Sequence, residues 1–428
     1  MKFQMTPAEM LNAARAPEPG DEGYDPFEAT NQAHLAQDGV PDPYPVLSEL
    51  LSKCPAHLGS MSEITGAVTT SDLLAGERQM VNILSFDAAE AVLRDGSTFS
   101  SAGYAESMGL VMGHTILEMD EPEHGRYRKL IQQAFTRREM ERWEREIVIP
   151  VLDHYVDAFA ERGRADLVAE LMFVFPMHVI AIALGLPETD LPAFYRRAVE
   201  ITNIANEVER GFAASQWLYD YLEPVVESRR AEPRDDLISL LAHSELEGTQ
   251  LTNDEIIAFC RLLLPAGAET TYRAASNLMV GLLCNPDQLE AVNQDRSLLT
   301  AAVEESLRWE TPLVGIGRTA VADELVDGVE IPAGAAVNIS LGCANRDPSK
   351  FEEPDRFDIF RESKSHISFA TGPHLCLGIH LARMEMRATL TCLLDRLPGL
   401  RLDPETDPPK ILGWGFRSPA ALHVVWDV

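Results

Sequence analysis

The stretch from Phe369 to Gly378, FATGPHLCLG, constrains the fold of this 428-residue chain more than any other segment. It places one cysteine, Cys376, in a tight glycine-bracketed loop just ahead of a helix-forming run. Glycines allow a sharp turn and a close approach of the backbone to a flat group. The positive end of the following helix favours a thiolate, and a shielded thiolate is a soft, electron-rich iron ligand. These features meet the requirements of a haem–thiolate site.

Two other interpretations of Cys376 remain open from the residues alone. A lone cysteine inside a cell is commonly a buried structural thiol. A zinc cluster would instead draw on His366, His374, Cys376 and His380, but the paired C-x-x-C spacing that is usual for structural zinc is missing.

Composition narrows the classes of function. The chain has 36 basic and 67 acidic residues, a net charge of −31, which argues against general binding of nucleic acid or of anionic membrane surfaces. Its six cysteines are scattered without paired spacing, as expected in a reducing compartment. We find neither a signal peptide nor an apolar run of about 18 residues, so we expect a soluble, cytoplasmic protein without a membrane span.

The pattern along the chain predicts a mainly α fold with small β-sheets. Helical patterns dominate from about 122 to 312, and short strands with Gly and Pro turns follow. Residues 1–40 are polar, acidic and rich in Pro and Gly, which predicts an irregular segment ahead of a single domain over 41–428. The stretch 100–118 is expected to be a long functional loop. Further predicted elements are helices over 43–54, 87–94 and 379–396, and strands over 80–85, 318–320, 330–332 and 336–340.

One long helix over about 253–284 is expected to be central and buried. Thr252 and Glu255 have the spacing of a capping box, and an apolar run follows. Pro265 removes the N–H that would bond the Arg261 carbonyl, so a kink or a widened turn is expected there. The next residues, 266–271, read AGAETT. Taken alone, these residues favour a helix with a packing glycine and a threonine whose hydroxyl bonds back to a carbonyl one turn earlier.

Together these segments resemble the cytochrome P450 family. The cysteine loop is similar to its haem-binding pattern F-G-x-G-x-H/R-x-C-x-G, with Ala370 in place of the first glycine. The AGAET run is similar to its oxygen-activating motif A/G-G-x-D/E-T, and Ala266 lies 110 residues before Cys376. The resemblance extends from about Asp42 to the end and implies the P450 fold, with a long central helix over the haem.

The resemblance also implies roles for individual residues. Cys376 would bind the iron of haem b, Thr270 would hydrogen-bond dioxygen, and Glu269 would relay protons, with a pKa that burial could raise. Four residues would meet the haem propionates: His124, Arg128, Arg318 and His374. Further haem contacts would come from Ala266, Phe369 and Gly378. A structural set would join Glu305, Arg308 and Arg356.

The substrate pocket would draw on Met108, Leu110, Val111, Met112, Leu263, Val314, Ile316 and Phe416, under a roof formed by residues 186–215.

The implied activity is that of a bacterial-type monooxygenase that inserts one oxygen atom from O2 into a small hydrophobic substrate. Electrons would come from a separate ferredoxin and its NAD(P)H-dependent reductase. The proposed ferredoxin dock is a basic island formed by Arg126, Lys129, Arg137, Arg138 and Arg383. The alternative is that these residues belong to ordinary solvated helix faces. A peroxygenase or isomerase of similar fold is the nearest alternative function, but such enzymes tend to lose the acid–alcohol pair. A haem sensor without turnover is a third possibility.

Overall fold

The computed structural model describes residues 3–30, 42–65, 75, 78–204, 206–362 and 365–428. Its α-helices include Pro7–Arg15, Tyr44–Lys53, Met61–Thr65, Phe86–Arg94, Gly109–Met112, Glu123–Gln132, Arg137–Trp143, Ile149–Asp157, Phe175–Ala183, Leu191–Thr202, Val208–Ala231, Leu237–His243, Asn253–Leu264, Thr270–Leu283, Pro286–Gln294, Leu299–Trp309, Leu341–Ala344 and Ile379–Arg396. Shorter 3-10 turns cover Ala102–Glu106, Gln133–Phe135, Ala160–Arg162, Glu188–Asp190 and Arg296–Leu298. The mainly α fold predicted from the sequence is confirmed.

The strands are short and form five separate sheets among the described residues. They are β1 Ala56–Leu58, β2 Met80–Ile83, β3 Phe99–Ser100, β4 Arg164–Asp166, β5 Glu245–Leu246, β6 Thr249–Gln250, β7 Gly315–Ala320, β8 Glu324–Val326, β9 Val329–Ile331, β10 Ala336–Ser340, β11 Arg401–Leu402, β12 Ile411–Leu412, β13 Ser418–Pro419 and β14 His423–Val425. The largest sheet has the order β1-β2-β10-β7-β3, and β10 pairs parallel with β2 but antiparallel with β7. This sheet carries β7, and with it Arg318, to the site described below.

Two apolar clusters hold these elements together. The larger one runs through the helices and includes the fully buried aromatic side chains Trp143, Phe159, Phe175 and Phe194. The smaller one lies against the five-stranded sheet. Within the described part of the chain, none of the helices combines the length and apolar character needed to cross a bilayer.

The central helix has three parts. Asn253–Leu264 and Thr270–Leu283 are regular, and a wide π turn, Pro265–Glu269, joins them. The predicted capping box is present, because the Thr252 hydroxyl and the Glu255 carboxylate each accept the other's backbone N–H. The predicted widened turn at Pro265 is confirmed, and its cause is the missing backbone donor of proline.

The N-terminal segment differs from the prediction of an irregular chain. Pro7–Arg15 is a helix, capped by reciprocal bonds between Thr6 and Glu9, and residues 26–30 are helical as well. Pro7 occupies the first helical turn, where proline is favourable because its missing N–H has no partner to lose. The Pro and Gly residues therefore mark the ends of short helices, and Met10 and Ala14 anchor the first one in the core.

Candidate active site

A cavity of about 570 Å³ lies between the central helix, the cysteine loop and β7. Cys376 and Thr270 both line it, from the cysteine loop and the central helix respectively. Most of the lining is apolar, and none of the described lining residues is acidic. The two motifs that the sequence singled out therefore meet in one cavity.

The cysteine loop is held by its own backbone. The Cys376 N–H donates to the Phe369 carbonyl at 3.0 Å. Gly372 has φ +75°, and a Cβ at that position would lie 2.4 Å from the Leu93 carbonyl oxygen. Ala370, which replaces the first glycine of the family pattern, has φ +56°. The alanine thus adopts the left-handed conformation that favours glycine. The backbone conformation of the loop is therefore kept at a cost in backbone strain.

The surroundings of Cys376 act on its thiol in opposite directions. Burial raises the pKa of the Cys376 thiol, whereas the Gly378 N–H and the nearby cations of Arg128 and Arg383 favour the thiolate. The histidines considered for a zinc cluster do not converge on it, since His366 Nε2 lies 3.3 Å from the Glu304 carboxylate. Over the described ranges, no group of three or more His, Cys, Asp or Glu side chains is arranged to hold a metal ion. The loop offers one isolated sulfur ligand.

The four predicted propionate ligands come together on the cavity wall. His124, Arg128, Arg318 and His374 all line it, and the rings of the two histidines lie 4.0 Å apart. Burial, followed by the charges of His124, Arg318 and Arg128, lowers the pKa of His374 to about 3. His124 Nε2 is buried and has no hydrogen-bond partner among the described residues.

This wall is positive, and no acidic side chain of the described lining balances it. A buried cation or an unpartnered nitrogen is costly unless a group of opposite charge meets it. The residues present therefore fit a flat cofactor that carries carboxylates and needs one axial thiolate, as haem does.

The widened turn of the central helix sends two neighbouring side chains to opposite sides. Thr270 faces the cavity, and its hydroxyl donates to the Ala266 carbonyl at 2.8 Å. Glu269 faces away into the protein, where it is 7% exposed. It accepts from Arg273 Nε at 2.9 Å, and Arg273 is itself fully buried and donates to Ser418.

The expectation that burial alone tunes Glu269 is incomplete, because the buried guanidinium stabilises its carboxylate form. Arg273 was missed, although a basic residue four positions after an acid in an apolar run was a visible signal.

The E-x-x-R set is present, but with a different third member. Glu305 and Arg308 form a buried bidentate pair at 2.7 and 2.8 Å. The additional cation is Arg361, whose Nε lies 3.3 Å from Glu305. The prediction of Arg356 is wrong, since its side chain is 59% exposed and pairs with Glu353, and only its carbonyl meets Arg308. Both arginines lie in the same irregular stretch, and the sequence did not reveal which one turns inward.

Most of the predicted pocket residues line the cavity: Met108, Met112, Leu263, Ala266, Val314, Ile316 and Phe416. Leu110 and Val111 do not. Leu110 is 63% exposed, and Val111 is buried in the core on another side of the short helix Gly109–Met112. In a single turn, residues four apart share a face, so Met108 and Met112 reach the cavity while the residues between them point elsewhere. Further lining residues that the sequence did not indicate are Tyr104, Ile116, Phe259, Thr271 and Trp414.

The predicted basic island is exposed but partly neutralised. Arg126, Lys129, Arg137 and Arg138 lie at the surface on and beyond the helix Glu123–Gln132. Arg137 pairs with Glu141, and Arg383 pairs with Glu304 at 2.6 Å.

The chain matches the family model described as cytochrome P450 over residues 41–424. The chain belongs to the cytochrome P450 family. This P450 is 37% identical to the cytochrome P450 monooxygenase PikC of Streptomyces venezuelae over 404 residues, which cover 92% of the chain and 93% of PikC. It is also 37% identical to a steroid C26-monooxygenase of Mycolicibacterium smegmatis, with 78% of the chain and 84% of that enzyme covered.

Solved structures agree with the sequence relatives. The P450 superposes on a Bacillus megaterium P450 crystallised with testosterone with a TM-score of 0.80 and 29% identity, covering 90% of the chain and 100% of that structure. A P450 from Chondromyces apiculatus gives the same TM-score at 32% identity, with 90% and 96% covered. The protein is therefore an oxidoreductase of the P450 monooxygenase class, a class that uses haem, dioxygen and redox partners.

Proposed function

We propose that this P450 inserts one oxygen atom from O2 into a neutral hydrophobic molecule, using haem b and electrons from a separate ferredoxin. The observation that carries the proposal is the shared cavity of Cys376 and Thr270, with a wall of two arginines and two histidines beside it. Family membership supports the reaction class, and the apolar lining supports the nature of the substrate.

Haem b, when bound, supplies the reduction and cleavage of dioxygen, which a thiolate ligand promotes. Cys376 would bind the haem iron through its thiolate; its backbone N–H donates to the Phe369 carbonyl, and the Gly378 N–H favours the thiolate. The proposed propionate ligands are His124, Arg128, Arg318 and His374. Ala266, Phe369 and Gly378 line the same cavity and are the proposed contacts of the flat ring.

Thr270 and Glu269 would have different roles in proton delivery to the cavity. Because the Thr270 hydroxyl donates to Ala266, its oxygen is left as an acceptor on the cavity side. It would hold a proton-bearing partner, such as a water molecule, next to the reacting oxygen. Glu269 would bring protons from the far side of the helix, and each uptake would weaken its ion pair with Arg273.

The substrate is proposed to be a neutral molecule with the bulk and polarity of a steroid. The lining is largely aliphatic and aromatic, and it contains no acidic residue among those described that would bind a cationic substrate. One relative is named for steroid oxidation and one structural neighbour holds testosterone. Binding of a panel of steroids and fatty acids, measured by the shift of the haem absorbance, tests the proposed substrate class. Exclusive binding of fatty acids would contradict a steroid-like substrate.

The proposed ferredoxin dock uses the members of the basic island that form no ion pair with any described residue, chiefly Arg126, Lys129 and Arg138. An acidic ferredoxin would be steered to such a patch on an otherwise acidic protein. Arg126→Glu and Arg138→Glu should slow ferredoxin-supported turnover and reduce its dependence on salt. Turnover that is unchanged and insensitive to salt in both variants would exclude this dock.

The deciding experiment is the absorbance spectrum of the dithionite-reduced protein with carbon monoxide. The strongly red-shifted Soret band that is typical of this family is expected for the wild type and should vanish in Cys376→Ala. Cys343→Ala is the matched control, because Cys343 is buried away from the cavity and should leave the band unchanged. A red-shifted band that persists in Cys376→Ala would refute Cys376 as the axial ligand.

A second experiment separates the monooxygenase from a peroxygenase. Thr270→Ala should divert electrons from product to hydrogen peroxide, whereas Thr270→Ser, which keeps the hydroxyl, should retain most of the coupling. Equal coupling in all three proteins would remove the role of Thr270 and favour an enzyme that starts from peroxide.

A further inference from the structure

Residues 3–30, which we call the strap, precede the region that matches the P450 family and pack against two helices, Leu191–Thr202 and Val208–Ala231. The family resemblance implies that these two helices form the roof, and we call them the roof helices. They do not line the cavity themselves, but the second packs against Gly109–Met112, whose Met112 does. The strap helix Pro7–Arg15 packs against the first roof helix. Just before the strap helix, the backbone N–H groups of Gln4 and Met5 both donate to the carboxylate of Glu188, which lies just before the first roof helix, at 2.7 and 2.8 Å.

Asp21 of the strap joins the two roof helices through a buried ion cluster. It accepts from Arg196 of the first helix at 2.6 Å and from Arg210 of the second at 2.8 Å. The side chains of Asp21 and Arg196 are each 2% exposed, so solvent screens their attraction little. Arg196 also donates to the Ala16 carbonyl and to Glu200. One carboxylate of the strap therefore fixes the position of one roof helix relative to the other.

Two further contacts support this fastening. The Arg210 guanidinium lies 4.0 Å from the centre of the Tyr24 ring, a cation–π contact that holds the second roof helix. Arg197 of the first helix pairs with Glu18 of the strap.

The end of the strap reaches the back of the oxygen-activating turn. Phe27 packs edge-on against Phe173 at 5.6 Å, and Phe173 packs against Tyr272 at 5.1 Å. Phe27, Tyr195 and Val199 line a small cavity, of about 10 Å³, together with Glu269. The strap thus touches both the roof and the rear of the residue proposed to relay protons.

We propose that the strap holds the two roof helices closed over the cavity, and that Asp21 is the positioning residue that sets how readily bulky molecules enter and leave. In Asp21→Asn the amide keeps a hydrogen bond but loses its charge, so Arg196 and Arg210 lose their shared counter-ion. The roof should then open more often, while the cysteine loop and the haem wall stay unchanged. The part of this proposal that concerns ligand release rests on the proposed haem function, whereas the opening of the roof does not.

The first test is hydrogen exchange of the full-length protein without added ligand. Asp21→Asn should speed exchange of the roof helices about tenfold, equivalent to about 1.4 kcal/mol in the opening equilibrium, and leave Ile379–Arg396 unchanged. The matched control is Asp25→Asn, since Asp25 lies in the same strap but pairs with Arg15 of the strap itself at 2.6 Å. Roof exchange within twofold of the wild type in Asp21→Asn, or an equal increase in Asp25→Asn, would overturn the proposal.

The second test uses a bulky neutral azole, clotrimazole, and carbon monoxide as probes of the haem-loaded protein. Asp21→Asn should release clotrimazole about tenfold faster but bind carbon monoxide at a rate within twofold of the wild type, because only the larger probe needs the roof to open. Arg210→Gln should also speed the release of clotrimazole. Because the Arg210 side chain is 31% exposed, this variant keeps the test valid if Asp21→Asn does not fold. Clotrimazole release unchanged in both variants would overturn the proposal. Failure of the wild type to bind either probe would contradict the haem function alone, and the exchange experiment would still decide the role of the strap.

Discussion

The two sides of the cavity are built in different ways. The side that carries Cys376 is fixed by backbone bonds, by glycine-like turns and by the buried Glu305–Arg308–Arg361 set, all within residues 305–378. The roof is fixed by side chains of a segment about 180 residues away, such as the Asp21–Arg196 pair with its separation of 175. The first construction holds the cysteine loop with contacts from one part of the chain. The second allows access to change without disturbing that loop.

If this difference holds, changes on the cysteine side should alter the free energy of unfolding strongly. The largest effect is expected for Glu305→Ala, which leaves Arg308 and Arg361 without their buried partner and should cost about 3–5 kcal/mol. Denaturant unfolding of the purified protein measures it. Arg356→Ala, on the exposed arginine nearby, should stay within about 0.5 kcal/mol, and an equal loss in both variants would contradict the assignment of Arg361.

A second large effect is expected for Gly372→Ala. The added methyl would combine the strain of φ +75° with a contact of 2.4 Å to the Leu93 carbonyl, for a total of about 2–4 kcal/mol. Gly328→Ala is a matched control, because Gly328 has φ +82° but open space around it. It should show the strain alone, about 1 kcal/mol. Similar thermal shifts for the two variants would mean that the close approach to Leu93 is not restrictive.

Ala370→Gly should stabilise the protein by about 1 kcal/mol, because glycine has no Cβ penalty at φ +56°. The same exchange at Ala333, an exposed loop residue whose φ is not positive, should be neutral or destabilising. Thermal unfolding of both variants measures the difference. A loss of stability in Ala370→Gly would show that the methyl group makes a contact worth more than the strain.

The smallest effect on stability is expected at the roof. Glu18→Gln weakens a half-exposed ion pair with Arg197 and should cost about 0.5 kcal/mol or less. Denaturant unfolding under the same conditions as for Glu305→Ala provides the comparison. A loss above about 2 kcal/mol would place the strap among the main supports of the fold and remove the contrast between the two sides.

The sequence predicted the parts of the site that depend on short spacings. The capping box at Thr252, the widened turn at Pro265 and the position of Cys376 before its helix all follow from local chemistry, and the structure agrees. The two arginines and two histidines of the cavity wall were found through the family resemblance, because neither residue type nor spacing alone singles them out.

The failures share a physical cause, which is that tertiary packing decides the direction of a side chain. Whether Arg356 or Arg361 turns toward Glu305, and whether Val111 faces the cavity or the core, depends on neighbours that are distant in the chain. The strap was judged irregular from its Pro and Gly content, but its order comes from Arg196 and Arg210 far along the sequence. Arg273 was overlooked although it lies four residues after Glu269, because that spacing shows that the two side chains can meet but not that both are buried.

The π turn at Pro265–Glu269 has a consequence for any attempt to change the length of the central helix. In a regular helix each residue rotates the following side chains by about 100°. The π turn takes up one residue more than an ordinary α turn, so removing one residue within Pro265–Glu269 should close it and leave the helix beyond facing almost as before. Removing one residue from the regular segment just after Thr270 would instead rotate every later side chain by that angle and carry Arg273 away from Ser418. Changes in the length of this helix can therefore be absorbed at the wide turn, but not in the regular segments on either side of it.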